Sequence, residues 1–520
     1  MADSYDEIPY QSIPFTDTHP ENLALFGRLF GLNTPDPARA RVLELGCAAG
    51  GNLIPLAFHL PQAQFLGVEL SARQVADGQG LIAAVGLDNV RIEQGDILEL
   101  GPGLGEFDYI VTHGVYSWVP PAVQSHILDL CARHLAPQGV AYISYNTWPG
   151  WRMRGVLRDL LLYHTRDIEA PGKRLNAALE FLEHFEPMLA QVDSRAAEYL
   201  LGELDRLRTS HASYLYHEYL EAYNQPQNIS DFIATCEAHQ LDYLCDADLK
   251  SMFPSVLGAR VEQWLDQFTD LTEQEQYLDY LTNRCFRQSL LCRADAGATR
   301  EIELERLEQQ AYFAYWRAPE DLALGSEQPV VFSQGDDKDL NLSHPLAKAA
   351  LAYLSLEFPD AIPYPELAAA AAAAVRDAGN PEAAADTNGM LAELFNLFAH
   401  QAVGVSQAAR HFPKTPGERP RAHRLARAQA AQGLGHLATA HHSTILLDPF
   451  SARLVHYLDG SRDLSELVAR LSDDIAQQRL VVADLRPSAP AVLEAQVKAN
   501  VERLLRLFLR QGVLESPQGD

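Results

Sequence analysis

Two stretches near the start of the chain combine residue types that could hold a ribose. Residues 42–52 read VLELGCAAGGN, and QFLGVELS at 64–71 ends its apolar run on Glu69. Gly46 and Gly50 let the chain turn sharply and bring backbone against a ligand, while a carboxylate closing the second run can accept from both ribose hydroxyls. A dinucleotide loop needs a second glycine two residues after the first, so that a pyrophosphate can approach. Here that position is Ala48, and Glu44 stands two residues before Gly46. The pattern Glu-x-Gly-x-Ala-x-Gly suits a ligand with a ribose and a charged amino-acid tail but no diphosphate, and S-adenosylmethionine is such a ligand. Asp96, in VRIEQGDILEL (90–100), is placed to accept from an adenine amino group, with Ile97 beside the ring. As a plain turn residue, Asp96 would instead cap the next segment.

These groups converge only if a particular set of elements carries them. Val42, Leu43 and Leu45 make a buried strand, and a helix is expected over 71–85, with Ser71 as its N-cap and Gly86 as its stop. Further strands should end at Asp96, near His113 in FDYIVTHGVYSW, and near Asn146 in GVAYISYN, with a helix over 122–135. Alternating strands and helices imply a doubly wound, mostly parallel α/β sheet whose ligands sit at the carboxyl ends of its strands. Those ends carry Glu69, Asp96, His113, Tyr116, Trp118, Asn146 and Trp148.

With 520 residues the chain should hold three or four domains. Its 41 Lys and Arg against 69 Asp and Glu give a net charge of −28, which argues against a nucleic-acid binder and would attract a basic or lysine-rich protein surface. Solubility alone also accounts for such acidity. The six cysteines show no C-x-x-C spacing, so neither a metal site nor a disulfide framework is expected. MADSYDEIPYQS is acidic and lacks the apolar core of a signal peptide, and the apolar stretch at 368–375 is too short to span a bilayer. A soluble, reduced, cytoplasmic protein is expected.

As a set, the loop, Glu69, the GDI at 95–97 and FDYIVTHGV at 107–115 resemble a class I S-adenosylmethionine-dependent methyltransferase domain. YDEIPYQSIPFTDTHPENLALFGRLFGL (5–32), YNTWPGW (145–151), HEYLEAYNQP (217–226) and NRCFRQSLL (283–291) narrow the resemblance. They are similar to methyltransferases bearing the methyltransferase regulatory domain, whose named members are the rickettsial outer-membrane-protein lysine methyltransferases. The resemblance implies an N-terminal catalytic domain, a helical middle region, a C-terminal winged-helix module and protein lysines as substrate. The expected partition is 1–165 for the cofactor domain with an N-terminal lid, 166–300 for the helical regulatory domain, 301–410 for a winged-helix-like module, 411–435 for a basic linker and 436–520 for a C-terminal winged-helix module. The cofactor set implied is Glu44, Gly46, Cys47, Ala48, Gly50, Asn52, Glu69, Leu70, Asp96, Ile97 and His113.

Methyl transfer from a sulfonium to an amine is an in-line displacement, so the protein mainly supplies alignment and excludes water. It must also receive a neutral amine, although free lysine has a pKa of about 10.4. Burial among aromatic rings disfavours the ammonium, a phenol, imidazole or carboxylate can carry its proton away, and aromatic faces hold the sulfonium. Tyr10 and His19 lie in the segment resembling the family's lid; Tyr116 and Trp118 follow strand four, on the usual acceptor side; Tyr145, Asn146 and Trp148 follow strand five; His217 and Tyr219 lie in HEYL. An aromatic channel of Tyr10, Tyr116, Trp118 and Tyr219, with His217 nearby, is the expected catalytic set. Tyr145, Asn146 and Trp148 are the expected substrate contacts. Each aromatic alone is as readily a core residue. Thr112–Val115 stand where a nucleobase amine methyltransferase would carry Asn-Pro-Pro-Tyr, which disfavours DNA as substrate. Rival readings are a small-molecule methyltransferase with regulatory domains and a nonenzymatic protein that binds the cofactor to sense its level.

From Trp151 to Arg300 the periodicity reads as helical, with NQP at 224–226 as a turn; Arg287 and Gln288 read as salt-bridge or surface residues rather than substrate contacts. Beyond it, HPLAKAALAYL (344–354) parallels DPFSARLVHYL (448–458), PEL (365–367) parallels SEL (465–467), and ELFNLFAHQAVGV (393–405) parallels RLLRLFLRQGVLE (503–515). Three helices and a short strand, twice, describe tandem winged-helix-like modules. Residues 436–520 hold more acids than bases, so a protein-contacting or structural role is expected there, and PKTPGERPRAHRLAR (413–427) reads as an exposed basic linker. A homodimer is compatible with this organisation.

Overall fold

The computed structural model describes residues 2–208, 210–335, 338–482 and 490–516. The chain forms two units, one of residues 1–13 and 32–300, the other of residues 14–31 and 301–520.

The first unit is built on a seven-stranded sheet. In chain order its strands are β1 (Arg41–Leu45), β2 (Gln64–Glu69), β3 (Val90–Gln94), β4 (Phe107–Thr112), β5 (Leu135–Asn146), β6 (Leu241–Asp246) and β7 (Phe286–Arg293), arranged β3-β2-β1-β4-β5-β7-β6. β1 pairs in parallel with both β2 and β4, so the strand order reverses there and opens a crevice at their carboxyl ends. Only β7 runs against the others. The first helices of the chain are α1 (Ala2–Glu7) and α2 (Pro20–Leu29), and the sheet's crossovers are α3 (Leu53–His59), α4 (Ala72–Val85) and α5 (Pro121–His134). α4 begins and stops as its sequence requires: Ser71 Oγ accepts from Gln74 N, and Gly86 takes the left-handed conformation at φ 73°.

The middle region is mainly helical: α6 (Gly150–His164), α7 (Pro171–Leu189), α8 (Arg195–Arg208), α9 (Ala212–Tyr219), α10 (Ile229–Ala238), α11 (Ala259–Leu265) and α12 (Leu271–Thr282). α6 to α9 close an apolar cluster of their own around Leu157, Leu161, Leu182, Leu204 and Tyr219. Reading all of 151–300 as helical misses β6 and β7, which complete the sheet beside β5. Their residues, LDYLCD and FRQSLLCR, are almost wholly buried, and a short run buried on both faces loses the alternation that marks a strand. Arg287 and Gln288 sit on β7; Arg287 is indeed a salt-bridge residue, and a fully buried one.

The second unit holds the two winged-helix-like copies. The first runs through β8 (Ala311–Phe313), the hairpin β9 (Val330–Gln334) and β10 (Lys338–Leu342), α13 (Pro345–Glu357), β11 (Ile362–Pro363), α14 (Tyr364–Asp377), α15 (Thr387–Ala399) and β12 (Gly404–Ser406). The second runs through α16 (Arg424–Ala431), the hairpin β13 (His436–Ala438) and β14 (Thr444–Leu446), α17 (Pro449–Tyr457), α18 (Leu464–Ala476) and α19 (Pro490–Arg510). In the first copy β8 pairs with β11 and β12; in the second, Arg421 bridges to Asp459 and Ala422 to Leu514, so the same pairing recurs. The segment read as an exposed basic linker is therefore part of this copy: Ala422, Leu425 and Ala426 are fully buried, their apolar stripe hidden in the sequence by the surrounding arginines. Residues 14–31 also belong here, with Glu21 of α2 paired to Arg410 at 2.9 Å. His19, grouped with the lid in the sequence, instead accepts from Glu21 N as the N-cap of α2 in this unit. Among the described residues no helix is long and apolar enough to cross a membrane, and no group of His, Cys, Asp and Glu is arranged to hold a metal ion.

Candidate cofactor and acceptor site

The turn after β1 is held by its backbone. Gly46, Ala48 and Gly50 all have positive φ, 71°, 49° and 72°, so three left-handed residues in five curl the chain back on itself. Gly46 and Cys47 donate to Val68 O at 2.8 and 3.3 Å, which stitches the turn to β2. A Cβ on Gly46 would lie 2.5 Å from Val115 Cγ2, and one on Gly50 2.5 Å from Ile92 Cδ1, so both positions need glycine for space as well as conformation. Asn52 leads into α3 and donates to Glu44 Oε1 at 3.1 Å, while the Cys47 side chain is buried beside Gly67.

Two carboxylates frame this turn. Glu69 accepts from Ala48 N at 3.0 Å and Ser71 N at 2.9 Å, which fixes its orientation; each oxygen keeps capacity for a further donor. Burial holds its carboxyl above the usual range against the pull of those N–H groups. Burial likewise pushes Glu44 up to about 8, and its Oε2 is buried with no partner. A buried acceptor left open in this way is satisfied by a donor from outside the protein, such as the α-amino group of a methionine tail. The residues present thus fit S-adenosylmethionine: an open acceptor at Glu44, a ribose carboxylate at Glu69 and a close-approach turn between them.

Along the same edge, β3 ends at Gln94, and Asp96 opens a short 3-10 turn, its Oδ1 accepting from Leu98 N at 2.9 Å. Asp96 is therefore a cap, as the turn-residue reading has it, and its second oxygen remains for a ligand. Ile97 is half-buried beside it, and Leu70 is 39% exposed after β2. His113 Nδ1 meets Tyr142 Oη at 2.9 Å, and burial pushes its pKa down to about 4, so the ring is neutral.

The N-terminal segment is strapped across unit one by side chains. Ser12 Oγ accepts from Gly51 N at 2.7 Å, and Asp6 accepts from Ser71 Oγ at 2.5 Å, so the segment touches the turn and the start of α4. Its other contacts reach α9: His217 Nε2 lies 2.7 Å from Ile8 O, and Ser4 Oγ donates to Glu221 Oε1 at 3.0 Å. His217 Nδ1 is 3.0 Å from that same Glu221 oxygen, and the imidazole stacks on Tyr5 at 4.4 Å and meets Tyr10 at 5.6 Å. Both His217 nitrogens face acceptors, so the imidazole acts as a clamp on the segment.

α9 presents a second set of groups. Tyr219 is fully buried; its hydroxyl accepts from Arg154 Nε at 2.9 Å and donates to Glu203 Oε2 at 3.4 Å. Trp151 lies between Tyr219, at 6.4 Å, and Trp118, at 5.9 Å. Arg154 also donates to Tyr214 Oη at 2.6 Å. Glu218, between His217 and Tyr219, accepts no hydrogen bond from the described residues and lies 4.0 Å from Arg154 Nη1. Burial pushes its carboxyl up to about 7, against the opposing pull of Arg154.

Two of the expected pocket aromatics are core. Tyr116 is 1% exposed and packs edge-on against Phe232 and Tyr145, and Tyr145 stacks on Phe232 at 4.1 Å with Ser289 Oγ donating to its hydroxyl. Both turn under the sheet edge because α10 supplies an apolar face there. Asn146 is buried and donates to Asn224 Oδ1 at 2.9 Å, so the NQP turn is pinned to the end of β5. Trp148 is half-buried under the Arg152 guanidinium. The structure thus brings Tyr10 to His217 and Trp118 towards Tyr219, and separates Tyr116 and Tyr145 from both. Sequence reasoning missed Tyr5, Ser12, Arg154, Glu218 and Glu221. Only Glu221 had a local signal, four residues after His217 on one helical face.

Comparison with known proteins matches residues 43–141 to the family described as a methyltransferase domain, 211–293 to the predicted methyltransferase regulatory domain, and 418–513 to the PKMT C-terminal winged helix domain. Protein RP028 of Rickettsia prowazekii is 39% identical over 230 residues, 44% of this chain and 92% of that protein. The chain belongs to the class I methyltransferases that carry a methyltransferase regulatory domain. Rickettsia prowazekii RP789 is 39% identical over 298 residues, 57% of this chain, and the match spans 54% of that protein's length. The solved structure of PKMT2 from Rickettsia typhi is 28% identical, with a TM-score of 0.85 over 97% of this chain and 100% of that one, and a second structure of it is a complex with AdoHcy. The class I methyltransferase fold, the regulatory domain and the C-terminal winged-helix module expected from the sequence are those of this family. S-adenosylmethionine is the cofactor of its methyltransferase domain.

Proposed function

We propose that the protein transfers methyl groups from S-adenosylmethionine to lysine side-chain amines of a protein substrate. The observation that carries the reading is the N-terminal strap, which ties the turn after β1 to the buried tyrosines and carboxylates of α9. Cofactor contacts are assigned to Glu44, Gly46, Cys47, Ala48, Gly50, Asn52, Glu69, Leu70, Asp96, Ile97 and His113. The acceptor side is assigned to Tyr10, Trp118, His217 and Tyr219, with Asn146 and Trp148 nearer its rim. When bound, S-adenosylmethionine supplies a methyl group on a sulfonium. The chain's own residues align the two partners, keep water out through the strap, and disfavour a charged amine by burial among aromatic rings. Glu218, whose carboxyl is held near 7, is suited to take up the amine's proton close to neutrality. The PKMT naming of the structural neighbour and of the winged-helix family supports lysine as the acceptor.

We further propose the domain partition given by the sequence, amended so that 14–31 and 411–435 group with the winged-helix unit. A cytoplasmic location, a basic or lysine-rich protein partner and a homodimer are expectations of the same reading. Incubation with labelled cofactor, cell lysate and lysine-blocked lysate tests it. Label in protein that blocking abolishes is the expected result. Label confined to small molecules would favour a small-molecule methyltransferase, and no transfer would favour a cofactor sensor. Calorimetry of Glu69→Ala should show cofactor affinity weakened by about tenfold or more with the fold retained. Unchanged affinity in a folded variant would remove the cofactor assignment.

A further inference from the structure

The turn after β1 has few donors left to give a ligand. The backbone amides of Gly46 and Cys47 donate to Val68 O, that of Ala48 to Glu69, that of Gly50 to Cys47 O at 2.9 Å, and that of Gly51 to Ser12 Oγ at 2.7 Å. In a dinucleotide loop such amides are kept for phosphate oxygens, whereas these are spent inside the protein. An anionic group brought to this turn must therefore find a donor on a side chain.

Ser12 is placed to supply it. The strap lies directly on the turn: a Cβ added to Gly51 would stand 2.1 Å from Ser12 O and 2.7 Å from Ser12 Oγ, so this close approach requires glycine at 51. Ser12 Oγ accepts from Gly51 N, which leaves the hydroxyl's own proton to be given elsewhere, and among the described residues it is bonded to no acceptor. One residue further on, Asn52 Nδ2 donates to Glu44 Oε1 at 3.1 Å, while Glu44 Oε2 is buried and without a partner. Consecutive residues of one turn thus hold an open donor and an open acceptor.

An α-amino acid carries both complements. Its ammonium offers only donors and its carboxylate only acceptors, and a single carbon bears the two. An ammonium bound at Glu44 therefore brings a carboxylate to the same turn. We propose that Ser12 donates its hydroxyl proton to the carboxylate of the cofactor's methionine tail, so that the strap is itself part of the cofactor site. This rests on the cofactor reading above.

Decarboxylated S-adenosylmethionine keeps the ammonium, the sulfonium, the ribose and the adenine and lacks only the carboxylate. Its affinity relative to that of S-adenosylmethionine isolates the contact. Calorimetry on the full chain, with no acceptor present, should show wild type preferring S-adenosylmethionine. Ser12→Ala should lower that preference about tenfold, as expected for a hydrogen bond to a charged group, and Ser12→Thr, which keeps a hydroxyl, should retain most of it. An unaltered ratio in Ser12→Ala overturns the proposal, because a loss shared by both ligands reports only the tether to Gly51. Equal affinity of wild type for the two ligands also overturns it. A ratio lost as fully in Ser12→Thr as in Ser12→Ala assigns the carboxylate to another group of the strap and overturns it too. A wild type that binds neither ligand overturns the cofactor reading and this inference with it. If Ser12→Ala does not fold, Gly51→Ala, whose Cβ would push Ser12 off the turn, decides by the same ratio.

Discussion

Around Arg287 and around Glu218 the first unit buries charge in two ways. Arg287 is fully buried, and its five N–H donors all find acceptors: Asp279 twice at 2.8 Å, Glu275 through carboxylate and backbone at 3.0 and 3.3 Å, and Asp246 at 3.4 Å. Arg284 and Arg300 complete the balance against the same carboxylates, so three cations meet three anions. Around Glu218 the carboxylate has one long ion pair, to Arg154 at 4.0 Å, and that guanidinium is shared with Glu203, Tyr214 and Tyr219. Both clusters sit beside tyrosines and on or against the middle helices, so residue type does not separate them. Satisfaction does: a network of short bonds fixes β6, β7 and α12 together, whereas a buried carboxylate with one long ion pair costs stability.

The largest expected effect is on the closed side. Arg287→Ala leaves Asp246, Glu275 and Asp279 facing one another in the core and should destabilise the unit by about 3–5 kcal/mol in urea unfolding. A loss below about 1 kcal/mol would erase the distinction between the clusters. Next, Glu218→Gln should stabilise the apo protein. The folded-state carboxyl is raised to about 7 from 4.5, so wild type binds an extra proton between those values and loses stability as pH rises through them. The variant's advantage should therefore be absent near pH 4, grow towards pH 7 and level off at about 1–2 kcal/mol after allowance for relaxation. A variant less stable than wild type at pH 8 would show that Glu218 serves the fold. Tyr219→Phe comes third: it removes a hydroxyl bonded to Arg154 and Glu203 and should cost about 1 kcal/mol in thermal unfolding while leaving cofactor affinity alone. The smallest change is Ala48→Gly, which relieves a left-handed alanine at φ 49° and should shift stability by about 0.5 kcal/mol or less in the favourable direction.

The cofactor half of the site was legible because backbone chemistry writes itself locally. Gly46, Gly50, Ser71 and Gly86 mark turns and caps by residue type, and Glu69 follows at a fixed distance along one crossover. Asp96 was legible in both of its senses, as a cap and as a strand-end carboxylate. The proposed acceptor half was not, because the strap, α6 and α9, to which it is assigned, are distant in sequence and carry no shared spacing. Arg154 reads as an ordinary helical arginine until Tyr214, Tyr219 and Glu203 close on it. Tyr116 and Trp118, two residues apart, went to different places because α10 brought Phe232 to one of them. The strands β6 and β7 were hidden by their own burial, and the buried face of α16 by its arginines.

The placement of β7 between β5 and β6 has a consequence for how the chain is made. β5 ends at Asn146, but the strand that covers its free edge begins at Phe286, so about 140 residues are synthesised before the sheet is closed on that side. Until then a twelve-residue, almost wholly buried strand offers open N–H and C=O groups to any other extended chain. A fragment cut after residue 165 would keep the cofactor turn and still present that edge permanently, and it should aggregate where a fragment ending at residue 300 does not.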